Sequence, residues 1–320
     1  MQASYTRRKI TALKILLISV PLLLLLLVLY TVLPLLREQG FLKHFDNHKK
    51  IQNDRFSVYL EEGDPAGEAV EAILEKFLIH LEDQWGGEDR MDLRSPRDLD
   101  FPVVVLLLKN EKRLRDYHGN RYREEFKNNA GMYERIAGTI SLISNRLGGF
   151  RELRRGLYHE STHMVLDRLV KGRDQDWSLW LNEGLATYLE ASREVEGVGF
   201  VLGDTSLNYL ENLEFAIASK SMSLRDVLSL THEDFIKTGN TRAYALSSLL
   251  VAFLLKGESQ KYQESFWAYF DRERAPGPVN PGALERCLGL KLEDLAEPFR
   301  IFIQEELALK RGIGGENDPR

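Results

Sequence analysis

The chain has 320 residues, 43% of them hydrophobic and 28% charged, with a net charge of −5 and a pI of about 5.9. That length allows one large domain or two modest ones with a substantial core, and an acidic balance without a basic stripe argues against a nucleic-acid partner. Cys287 is the single cysteine. It excludes an internal disulfide and any Cys-pair zinc motif, so a metal would have to be held by histidine and carboxylate.

In chain order, the first feature is the run Ile15 to Leu36, 22 positions without a charge. About 20 apolar residues are needed to cross a bilayer as a helix. Arg7, Arg8, Lys9 and Lys14 precede the run, and no small-x-small cleavage site follows it. The pattern is that of an uncleaved signal anchor. Arg37, Lys43, Lys49 and Lys50 lie just beyond, so the positive charges nearly balance. The short basic tail favours the N-terminus inside and the large domain outside the cytoplasm. The expected division is a tail and transmembrane anchor over 1–36, a charged juxtamembrane connector over 37–54, a folded domain over 55–310 and a disordered tail over 311–320.

From Phe56 an α/β pattern begins. FSVYLEE alternates as a strand does. GEAVEAILEKFLIHLEDQWG places Val70, Ile73, Leu74, Phe77, Leu78 and Leu81 at helical spacing. FPVVVLLLKN reads as a buried strand, EKRLRDYHGN as a short helix ended by Gly119, and RIAGTISLIS, residues 135–144, as a further strand. After Arg151 the pattern predicts helices at 151–171, 178–193, 205–219, 223–230, 241–256, 259–272 and 291–309. Strands followed by helices mean an α+β fold.

The chemistry sits in GLYHESTHMVLDRLV, residues 156–170, which contains H-E-x-x-H. On a helix His159 and His163 share one face and can bind one ion, while Glu160 on the neighbouring face can reach a water held there. This is the spacing of metal-assisted hydrolysis, with two imidazoles on zinc and the glutamate as base. A catalytic zinc normally has three protein ligands and one open position. A polar loop separates the motif from a second helix, WSLWLNEGLATYLEAS. His163 lies roughly 12 Å before the turn and Glu183 roughly 9 Å after it, at 1.5 Å per residue. The two are thus at similar depth on adjacent helices, and a carboxylate flanked by Leu181 and Leu185 calls for a partner.

HESTH followed by WLNEGLATYLE, with 19 residues between His163 and Glu183, resembles the gluzincin metallopeptidases, whose pattern is H-E-x-x-H and then N-E-G-x-A on a second helix. More narrowly, the chain looks like the bacterial peptidase-MA-like proteins. The resemblance is specific over 157–190 and architectural over 56–310. It implies a zincin-like catalytic domain, zinc bound by His159, His163 and Glu183, Glu160 as general base, and a peptide or protein substrate. It also implies a donor to the oxyanion, for which Tyr244 in RAYALSSLLVAFL is the candidate.

RIAGTISLIS is the candidate edge strand for an extended peptide. Asn182 and Asp167 are placed to hydrogen-bond a ligand, although Asp167 also reads as a solvated helix-face charge. His44, His48, His80, His118 and His232 lack metal spacing and carry no site. Trp177 and Trp180 read as packing between the helices. The expectation is a single-pass membrane-anchored zinc metallopeptidase. Its rivals are a zincin-fold binding or scaffold protein of the cell envelope without turnover, a hydrolase of a non-peptide amide, and a metal-free membrane-tethered module.

Overall fold

The run VVVLLL at 103–108 has no polar residue because neighbours cover both of its faces. Val103, Val105 and Leu107 enter the main core, while Leu106 and Leu108 enter a smaller one on the opposite side. Such period-two burial on two sides belongs to a central strand. The computed structural model describes residues 49–52, 56–60, 67–85, 103–118, 130–135, 138–169, 177–218, 223–236, 241–275 and 282–314, with Val20 alone upstream.

Five strands form the sheet: β1 (Lys49–Gln52), β2 (Phe56–Leu60), β3 (Val103–Leu108), β4 (Gly131–Glu134) and β5 (Thr139–Ile143). Their order is β1-β2-β3-β5-β4, with β2, β3 and β5 parallel and the two edge strands antiparallel to their neighbours. Helix α1 (Gly67–Trp85) covers one face with Val70, Ile73, Leu74, Phe77, Leu78 and Leu81. On the other face, α2 (Glu111–His118) contributes Leu114 and Tyr117.

Two expectations change here. β1 lies inside the segment expected to be a connector. β5, the strand expected at the edge, lies between β3 and β4, so the edge belongs to β4. A turn at Gly138, with φ of 60°, separates the two strands, and only the second carries a continuous apolar run.

The rest is helical except for one hairpin. Helices α3 (Phe150–Leu169) and α4 (Leu179–Leu189) are followed by the hairpin strands β6 (Arg193–Val195) and β7 (Gly199–Val201). Then come α5 (Leu207–Ala218), α6 (Leu224–Leu228), α7 (His232–Ile236), α8 (Thr241–Gln260), α9 (Gln263–Arg274), α10 (Ala283–Leu288) and α11 (Leu292–Gly314). The helix expected over 178–193 stops at Leu189, and Gly197 and Gly199, both at positive φ, turn the chain back on itself. The last helix runs to Gly314, into the segment expected to lack structure; residues 315–320 lie outside the described ones.

From Ala245 to Leu255 every residue of α8 is buried, the signature of a helix packed on all sides. Its regular backbone ends at Gly257 (φ −64°, ψ 151°). A Cβ on Gly184 of α4 would stand 2.7 Å from the Ser247 carbonyl oxygen, so the glycine lets α4 and α8 touch backbone to backbone. The architecture is α+β, as expected. Among the described residues no helix is long and apolar enough to cross a membrane. The run 15–36 lies outside them, Val20 excepted, as does the connector before Lys49.

Candidate metal centre and its cleft

α3 and α4 pack against each other and carry the three expected ligands to one point. The Nε2 atoms of His159 and His163 are 3.2 Å apart, and Glu183 Oε2 lies 3.6 Å from each. The start of α4 is fixed from two directions. The Trp177 indole donates to the Leu166 carbonyl of α3 (2.9 Å), and the Ser178 N–H donates to the buried Glu273 of α9 (3.3 Å). These contacts set the level of Asn182 and Glu183 against α3.

Hydrogen bonds on the far side of each imidazole decide what the near side presents. His163 Nδ1 donates to Asn182 Oδ1 (3.0 Å), and His159 Nδ1 donates to Glu190 Oε2 (3.1 Å). Both acceptors lack a hydrogen to give back. In the neutral rings the Nε2 atoms therefore carry lone pairs, and these face each other and a carboxylate oxygen. Three acceptors converge with no donor among them, an arrangement that calls for a cation. Without a metal, a proton fills that need. Burial opposes charge on His159, but hydrogen bonds to Glu183 and Glu190 outweigh it and hold its pKa well above the usual imidazole value. Burial likewise pushes Glu183 up, and His163 and His159 overcome it, leaving the carboxyl below its ordinary range.

The donor set fits a metal. About a tetrahedral zinc, bonds of about 2.0–2.1 Å put ligand atoms about 3.3–3.4 Å apart, against the 3.2, 3.6 and 3.6 Å observed. The group His159, His163 and Glu183 could therefore hold a metal ion. All three residues line a cleft of about 560 Å³, so the site is open on one side.

Glu160 is 8% exposed and points into the same cleft. Burial raises its pKa above the usual carboxylate range, against the pull of His159 and His163. It also accepts the backbone N–H of Tyr133. That contact follows from the register of β4. Ile143 N–H donates to the Ala130 carbonyl (2.7 Å), and Gly131 opposes Leu142. Hydrogen-bonded and non-bonded pairs alternate in an antiparallel ladder, so Gly131 and Tyr133 direct their backbone groups away from β5, toward the cleft. A Cβ on Gly131 would meet the Leu142 side chain at 2.4 Å and the Glu160 carboxylate at 3.2 Å. Glycine thus lets the strand lie close over the motif helix.

Tyr244, at the start of α8, lines the cleft, with its ring centroid 6.4 Å from that of His159. Burial, reinforced by Glu183 and Glu160, raises its pKa far above that of a free tyrosine, so the hydroxyl keeps its proton to donate. Phe235 of α7 packs edge-on against it (5.0 Å).

The expected helper residues divide. Asn182 orients His163. Asp167 touches no ligand; it binds the Tyr133 hydroxyl (3.0 Å) and the Arg135 guanidinium of β4. Three residues carrying no expectation join the site. Glu190 holds His159, Arg155 holds Glu190 in turn, and His232 lines the cleft. Glu190 and Arg155 were findable, since Glu190 lies two turns beyond Glu183 and Arg155 one turn before His159. His232 begins a five-residue helix whose cap, Thr231 bonded to Asp234 (2.7 Å and 2.8 Å), is written in the sequence as T-x-x-D.

Residues 155–276 are similar to a family described as a protein of unknown function, DUF1570. The matched stretch takes in the three donors, Glu160, Glu190 and Tyr244, and stops short of the sheet. A search of curated proteins finds no match to the chain.

Proposed function

We propose that the chain is a zinc-dependent metallopeptidase of the zincin type, anchored by residues 15–36 with its catalytic domain outside the cytoplasm. The observation that carries the reading is the convergence of three hydrogen-free acceptor atoms beside Glu160, beneath the outward edge of β4. Two nitrogens and one carboxylate oxygen at tetrahedral spacing suit zinc. An exposed strand edge over the site suits an extended peptide, which can add to it by backbone pairing.

Zinc, when bound, supplies Lewis acidity toward a carbonyl and toward water. The chain's own groups do the rest. Glu160 takes a proton from the attacking water and returns it to the leaving amine. Its raised pKa brings it closer to the operating pH for both transfers. Tyr244 donates to the carbonyl oxygen as negative charge builds there. Asn182 and Glu190 hold the imidazoles in the tautomer that offers Nε2.

Zinc content of the full chain, purified without a histidine tag, tests this directly. About one zinc per chain is expected, lost in Glu183→Ala. Glu160→Gln should keep the zinc and lose peptide hydrolysis by at least about a thousandfold. A wild type that takes up no zinc after reconstitution would sink the enzyme reading. Zinc without turnover on any peptide would leave the rival of a zincin-fold binding protein.

A further inference from the structure

Beyond the three donors the cleft continues one helical turn along α3, to Asp167, and along β4, to Arg135. One oxygen of Asp167 accepts the Tyr133 hydroxyl and the other meets Nε of Arg135. Both oxygens are thus used by side chains of β4, and the guanidinium is held at a fixed place in the cleft wall. A guanidinium carries five N–H donors in one plane, and a contact through Nε uses one edge of it. The Arg135 side chain is 45% exposed. Among the described residues that line the cleft, it is the one arginine or lysine, and Trp177 and Leu179 give the same end an apolar wall.

We propose that this end of the cleft is a subsite for a carboxylate of the substrate, held by Arg135; the inference rests on the peptidase reading. A planar, oriented guanidinium recognises a carboxylate through paired N–H donors, and the apolar wall takes the methylenes that lead to it. Asp167 lies about 6 Å beyond His163 along the helix. An extended peptide advances about 3.3 Å per residue, so the carboxylate sits about two residues from the cleaved bond. Acidic side chains and a free chain end both offer that group. Glu160 and Glu183 at the reacting centre disfavour a negative charge there, which sharpens the preference for Arg135.

The test uses the full chain carrying Glu160→Gln, loaded with zinc, and fluorescent peptides read by anisotropy. One series places Glu or Gln at successive positions; a second compares a free C-terminal carboxylate with its amide. Binding about tenfold tighter for one member of a Glu/Gln pair identifies a side-chain carboxylate, and the same gain for the free acid over the amide identifies a chain end. In Arg135→Gln the preference should vanish while the neutral peptide keeps its Kd within about twofold. Arg135→Lys, which keeps charge but not the fork, should retain part of it. Equal binding of acidic and neutral peptides to the zinc protein overturns the subsite and leaves the peptidase reading standing. Equal weakening of both by Arg135→Gln overturns it too, since that is what a mere clip between β4 and α3 would do. No peptide binding at all overturns the peptidase reading together with the subsite.

Discussion

Two buried charged clusters lie in the helical half, and they are built on opposite rules. Around Asp204 every charge meets its opposite. Lys310 (2.5 Å), Arg193 (2.9 Å) and Lys256 (3.5 Å) surround its carboxylate, and Lys256 and the Thr205 hydroxyl also reach Glu306 (3.4 and 2.5 Å). This cluster ties α11 to the chain after β7 and to α8, and it is complete. At the cleft, by contrast, three acceptors converge, and the cation they require is not among the neighbouring side chains. A satisfied cluster contributes stability; an incomplete one is a binding site. The contrast separates a structural ion-pair network from a site on geometry alone, where burial and shifted pKa values would not, because both clusters have them.

The largest expected effect on the complete cluster is from Asp204→Asn. It leaves three cations facing each other and should cost about 2–3 kcal/mol of stability, read by denaturant unfolding, with zinc affinity of the folded chain unchanged. The pH dependence has a definite sign. Burial raises the Asp204 pKa, but Lys310 and then Lys256 and the Thr205 N–H lower it below the ordinary value. A carboxyl depressed in the folded state contributes stability above its unfolded pKa of about 3.9, and loses it as the pH falls from there through the folded pKa. Wild type and Asp204→Asn should therefore converge in stability below about pH 4. A gap that persists unchanged at lower pH would show that the carboxylate charge is not what matters.

The incomplete cluster should respond in metal affinity. Glu190→Gln keeps the shape but removes the charge that holds the His159 ring, and should weaken zinc binding by about 10- to 100-fold with little change in stability. Here too pH has a sign. His159 is raised in the metal-free chain, so a proton occupies the site below that pKa and the metal must displace it. Zinc affinity should tighten as pH rises through this region and level off above it. Calorimetry in buffers of different ionisation heat should find about one proton released per zinc on the acidic side. No proton release would contradict the assignment of that charge to His159.

The sequence made the first cluster harder to see than the second. Local periodicity carried most of the metal centre: i, i+4 spacing put His159 and His163 on one face, and counting residues back from the turn brought Glu183 to their level. The helices of the second half were legible for the same reason, as helical spacing survives in a single chain segment. What failed was anything set by partners far along the chain. β4 has four residues and starts with glycine, so nothing local marked it as the edge over the site; its place follows from β5 pairing with β3 on one side and with it on the other. The β6–β7 hairpin was absorbed into the preceding helix because Arg193–Val195 carries no alternation of its own. His232 reaches the cleft through the packing of Phe235 on Tyr244, which spacing to the H-E-x-x-H motif does not reveal. The Asp204 cluster joins residues from 193 to 310, and no sequence rule pairs such positions.

The smallest expected effect is also the most specific. Arg155 touches Glu190 (2.5 Å) and not the ligands, so it should act on the metal only through that carboxylate. Burial lowers the Arg155 pKa and Glu190 more than restores it, so the guanidinium stays charged at any workable pH. Arg155→Met should therefore weaken zinc binding by only about three- to fivefold, because Glu190 remains to accept from His159 even when less firmly held. In a Glu190→Gln background the same substitution should do nothing further, since the contact it supports has lost its charge. That non-additivity, read as a double-mutant cycle on zinc affinity, is the signature of a chain Arg155–Glu190–His159. Additive losses would mean that Arg155 serves only to pack α3 against α4, and the incomplete cluster would then end at Glu190.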